Sequence, residues 1–153
     1  MPHPARYNWR TGHPVLDGLL SVWQEYRLQS RPPRWSEIRD QIAPEIHAHL
    51  ILLQYQGGTR PPLCTWIGPT AAQLLGLPPN FTGTTWTDES RPHRIASLSR
   101  TVARRKLAVR GQLTPGPDTP TTLTAVGMPL VAEADGVEAT DGPVVMAVAW
   151  PVL

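Results

Sequence analysis

Residues 50–76 read LILLQYQGGTRPPLCTWIGPTAAQLLG, and the structural period changes twice within them. Residues 50–56 are apolar with one aromatic, and Gly57-Gly58 followed by Pro61-Pro62 supplies the punctuation that ends a strand and turns the chain. A second strand fits residues 63–67. Gly68, Pro69 and Thr70 then break the extended run, and Ala71, Ala72, Leu74 and Leu75 begin a short helix that Gly76 closes through a left-handed turn. A hairpin, a glycine turn and a short helix therefore stand at the centre of the chain.

The 153-residue sequence as a whole bounds what this unit belongs to. That length suits one hydrophobic core, so one domain over residues 13–153 is expected, behind a tail at 1–12. Fourteen basic against 12 acidic residues describe a solvated surface rather than a demand for a polyanionic partner. Cys64 is the single cysteine, which excludes an intramolecular disulfide, a paired-cysteine metal site and a CxxCH haem attachment. The first residues lack a signal-peptide core, and no segment approaches the roughly 20 apolar residues that cross a bilayer, so a cytoplasmic protein is expected. Eighteen prolines, mostly between the periodic segments, favour many short elements.

The tail is expected to pack through Tyr7 and Trp9. From Pro14, an N1-type proline, Leu16, Leu19, Leu20, Trp23 and Tyr26 recur at helical spacing, and the helix must stop before Arg31-Pro32-Pro33. Residues 35–41 offer one or two helical turns with Ser36 as N-cap, and residues 44–49 another turn with proline first. His47 and His49 lie two apart, so a helix would point them about 200° apart and a shared metal site is not expected. In the turn-rich segment 77–90, Phe81 and Trp86 are the large apolar anchors. Ser90 is a cap candidate for a longer helix whose stripe is Ile95, Leu98 and Val102 and whose other faces carry Arg91, Arg94, Arg100, Arg104 and Arg105. Three strands follow at 106–113, 121–131 and 143–152, separated by PGPDTP and EADGVEATDG. The fold class is α+β: a five-stranded antiparallel sheet with helices collected on one face, plus an N-terminal helix.

That order is similar to the PAS fold, a five-stranded antiparallel sheet with short helices and one long helix between its second and third strands. More narrowly, several motifs resemble the bacterial PAS family called PAS_5. These are Leu20, Trp23 and Tyr26 on the first helix, Ile42-Ala43-Pro44 running into His49-Leu50-Ile51-Leu52-Leu53, and Gly68 with Thr70 and Gly76 after the second strand. Asn80-Phe81-Thr82-Gly83 resembles an Asp-Leu-Thr-Gly segment of that family, while Cys64-Thr65-Trp66-Ile67 departs from its Phe/Arg-rich second strand.

The resemblance implies a sensory or signalling role, with a cavity between the sheet's inner face and the helices. Its lining would be Trp66, Leu75, Phe81 and Trp86 from the first half, with Ile95, Leu98, Met128 and Met146 from the second. The same aromatics can instead fill that space, leaving a ligand-free module that acts through a surface. A haem-binding member would take its iron ligand from His93, which otherwise reads as a surface histidine; the flavin-type Asn-Cys-Arg-Phe-Leu motif is absent. The stripe of Leu16, Leu19, Leu20 and Trp23 must be buried either across the outer sheet face or against its copy in a homodimer. A stand-alone sensory domain of this kind would signal through an unidentified partner protein.

Enzymatic chemistry has no carrier in the motifs. There is no phosphate loop, HExxH, GxSxG or carboxylate pair on one helix face, and Cys64 reads as a buried thiol. No enzyme activity is expected. Nucleic-acid binding through the arginines of 91–110 is the competitor from another class, but aromatics are not interleaved with them.

Overall fold

The structure is a computed structural model, and it describes residues 9–27, 31–55, 60–78, 81–87, 94–113, 122–132 and 142–151. The strands are β1 (Leu50–Gln54), β2 (Leu63–Ile67), β3 (Val109–Leu113), β4 (Leu123–Pro129) and β5 (Val144–Ala149), all paired antiparallel in the order β2-β1-β5-β4-β3. The helices are α1 (Pro14–Tyr26), α2 (Trp35–Ile38), α3 (Pro44–His47), α4 (Pro69–Leu74) and α5 (Ile95–Arg105), with a 3-10 turn over Arg39–Gln41.

The central strands β4 and β5 are buried almost throughout because both faces of the sheet are covered. Leu123, Ala125, Val144, Met146 and Val148 point to the inner layer, where α4 and α5 pack. Val126, Met128, Val145, Ala147 and Ala149 point to the outer layer, which receives Leu16, Leu19, Leu20 and Trp23 of α1. The helical face foreseen over the sheet is thus the one bearing α4 and α5. The N-terminal helix lies on the opposite face, joined there by Ile38, Ile42 and Ile46 from the short turns. Trp23 fixes the arrangement: its Nε1–H donates to the Pro129 carbonyl at 2.8 Å, a buried bond that ties α1 to the end of β4.

The element ends follow from local chemistry. Pro14 and Pro44 occupy first-turn positions in α1 and α3. Gly76 adopts φ 66° and closes α4 through paired bonds from Gly76 N to Gln73 O and from Leu77 N to Ala72 O, the left-handed closure expected for it. Lys106, at φ 55°, closes α5, so β3 begins at Val109 rather than at 106. The cap foreseen at Ser36 is replaced by one at Arg34, because Glu37 sits three residues on and its carboxylate accepts the Arg34 N–H at 2.7 Å. Helix α5 starts at Ile95 after Arg94 at φ 63°; Ser90 lies outside the described residues, as do Tyr7, Asn80, Arg91, His93 and the PGPDTP loop. The outer edge of β2 is sealed by residues 83–86, through Cys64 N to Thr84 O, Gly83 N to Cys64 O and Trp86 N to Pro62 O.

The N-terminus of α1 carries a pH-sensitive cap. His13 Nδ1 accepts the Val15 N–H at 3.2 Å, which requires an unprotonated Nδ1. Burial, then the neighbouring His49, holds His13 below the usual imidazole range, while Asp17 pulls it upward. A lowered folded-state value means the unfolded chain takes up the proton first. The stabilisation is therefore present above about pH 6.5 and is lost as the pH falls below that value. Denaturant titrations at pH 7.5 and 5.5 should show wild type losing more stability than His13→Asn, whose amide oxygen still caps but does not titrate. Equal losses would remove His13 from the account.

Candidate functional site

Inside the sheet, the predicted lining divides. Leu75, Phe81, Trp86, Ile95 and Met146 come together in the inner layer, each at most 2% exposed. Phe81 and Trp86 meet edge-on with centroids 4.9 Å apart. They belong to one buried apolar cluster. Leu98 is only half buried and borders a groove of about 190 Å³ between α5 and β3, shared with Arg94, Thr101 and Gln112. Among the described residues this layer encloses a polar pair, the Tyr55 hydroxyl and Ser99 Oγ at 2.6 Å, anchored by Ser99 Oγ donating to Ala96 O at 3.0 Å.

Met128 and Trp66 face the other way, contrary to their placement in one lining with these five. Met128 shares the parity of Val126 and sits in the outer layer. Trp66 is turned outward by a bulge: Leu52 pairs with Trp66 but Leu53 pairs with Cys64, which leaves Thr65 as the extra residue. Cys64 and Ile67 consequently both point inward while Trp66, between them, points outward with Leu52.

That outward turn builds a cleft that sequence reasoning missed. Trp35, Arg39, Asp40, His47, Leu52 and Trp66 line a recess of about 330 Å³. Leu52 and Trp66 arrive as a cross-strand pair. Trp35 opens α2, and His47, the last residue of α3, donates through Nε2–H to the Arg39 carbonyl at 2.8 Å, since a carbonyl only accepts. The imidazole is edge-on to both indoles, at 5.9 Å and 74° from Trp35 and at 6.3 Å and 87° from Trp66. Arg39 and Asp40 at the rim form a loose pair, 3.8 Å apart, with both side chains mostly in water. A recess lined by three rings and a leucine, with one charge of each sign beside them, can hold a small group. The available signal was Trp35, His47 and Trp66 spaced through segments 35–67, but only the bulge brings them to one face.

Groups with reactive potential are engaged elsewhere. Burial pushes the Cys64 thiol up to about 11, and its Sγ–H points to the Trp66 carbonyl at 3.5 Å, so it stays protonated near neutrality. His49 Nδ1–H donates to Val148 O at 2.8 Å. Among the described residues, no three His, Cys, Asp or Glu gather as a metal set, and no helix is long and apolar enough to cross a membrane. Two of the arginines considered for phosphate contacts are spent on the protein itself. Arg100 stacks over Tyr55 and donates to Arg60 O, and Arg110 stacks over Trp9 and donates to Arg10 O.

No family model matches the chain, and no curated protein matches it either. Among solved structures, a chain from work on a fungal LOV domain photoreceptor aligns at 18% identity with a TM-score of 0.45, covering 67% of this chain and 73% of that one. The chain's own arrangement is a five-stranded antiparallel sheet with α4 and α5 over one face and α1 across the other.

Proposed function

We propose that the protein is a non-catalytic, PAS-like sensory or signalling domain of the cytoplasm that recognises a small ligand. The observation that carries this reading is the division of the two faces: an inner layer of buried apolar side chains, and on the outer face an aromatic cleft held by the His47 bond to the Arg39 carbonyl and by the Leu52–Trp66 strand pair. Occupancy of the cleft bears on α2 and α3, which share an apolar layer with α1, so binding and signalling belong to one connected face. The narrower likeness to the PAS_5 group rests on short motifs alone.

Native mass spectrometry of freshly purified protein, with an absorbance spectrum and a thermal-shift screen of metabolites, tests the reading. A retained small mass, or a ligand that at 100-fold its Kd adds about 2.7 kcal/mol and raises Tm by several degrees, is the expected result. A Soret band would instead direct attention to His93. A colourless protein with no retained mass and no shift would replace ligand sensing by a protein-interaction role.

A further inference from the structure

The cleft's chemistry narrows its ligand, on the footing of the binding role just proposed. Its walls are π-systems: Trp35 and Trp66 flank His47, and the imidazole stands nearly perpendicular to each. Such a box attracts a cation through ring quadrupoles, most effectively an N-methylated ammonium, which offers no N–H groups in need of acceptors. Leu52 in the lining suits methyl groups. A neutral aromatic ligand would also stack here, but it leaves the rim unexplained.

The rim carries Arg39 and Asp40, whose side chains are 56% and 81% exposed and whose separation of 3.8 Å marks a weak, water-screened contact. That pair re-forms at little cost around an incoming zwitterion. The Arg39 guanidinium accepts a carboxylate in its planar fork, and Asp40 adds negative charge beside an ammonium. The recess, about 330 Å³, is at the lower end of small-molecule sites. We infer that the outer-face cleft of Trp35, His47 and Trp66 binds a betaine-type zwitterion, with its quaternary ammonium among the rings and its carboxylate on Arg39.

Calorimetric titration of the intact protein with glycine betaine tests this, with tetramethylammonium and glycine as probes of each half. Saturable binding of glycine betaine, weaker binding of tetramethylammonium and none of glycine are expected. Trp35→Leu keeps apolar bulk and removes a π wall, so betaine affinity should fall about tenfold or more with Tm little changed. Arg39→Gln should bring betaine affinity down to that of tetramethylammonium while leaving the latter unaltered. If Trp66→Ala impairs folding, the Trp35 and Arg39 variants decide by themselves. Absence of saturable betaine binding, or equal binding by wild type and Trp35→Leu, overturns the ligand class. The wider binding role fails separately, on the mass spectrometry and metabolite screen.

Discussion

Leu20→Ala should cost about 3–4 kcal/mol, read as a lower denaturation midpoint at unchanged slope. The side chain is fully buried on α1 and meets the outer layer formed by Val126, Met128, Val145 and Ala147. Truncation removes about three carbons from that layer and leaves a cavity that rigid neighbours on β4 and β5 close only in part. Leu20→Glu goes further, because a carboxylate there either loses hydration or must take up a proton. Against a net stability of order 5–15 kcal/mol, that substitution should leave much of the chain unfolded at 25 °C. With the stripe buried inside the chain, the effect should appear in circular dichroism as unfolding. Two variants as stable as wild type would show that α1 is not seated on the sheet.

Gly68→Ala is the second large effect. Gly68 precedes α4, and its N–H donates to Leu50 O at 2.8 Å, while Ala71 N–H donates to Ala48 O at 3.0 Å. The end of α3 and the start of α4 thus approach backbone to backbone. A Cβ at position 68 would collide with the Ala48 carbonyl and come within 2.5 Å of the His47 carbonyl oxygen. Neither neighbour is a flexible side chain, so the two segments must separate, at a cost of about 2–4 kcal/mol. Because His47 is a wall of the cleft, the same substitution should weaken ligand binding even at temperatures where the chain is folded. Thermal unfolding and calorimetry on one preparation check both halves; unchanged stability would refute the close approach.

The central hairpin and α4 were legible from residues 50–76 because their signals are local: β-type apolar runs, a Gly-Pro break and a glycine at the closing turn. The helical period of Leu16, Leu19, Leu20 and Trp23 showed that a stripe must be covered, and burial across the outer face was one of its two outcomes. The predicted lining was less legible. Period-2 alternation assigns faces only while pairing is regular, and one extra residue at Thr65 reverses the parity of everything beyond it. Trp66 therefore left the inner face for the cleft. Met128 had no such excuse in its own strand; its face is set by the register of β4 against β5, a long-range pairing that composition does not encode. The cleft itself joins a helix start, a helix end and a bulged strand pair, so no single motif announces it.

The most direct test of recognition at the outer face uses the six tryptophans as reporters. In a two-dimensional NMR titration with glycine betaine, the indole Nε1–H signals of Trp35 and Trp66 should move progressively and saturate. Those of Trp23, held on Pro129 O, and Trp86, buried in the inner layer, should stay in place. Movement of Trp86 with Trp35 and Trp66 unmoved would put the ligand inside the sheet and contradict the account.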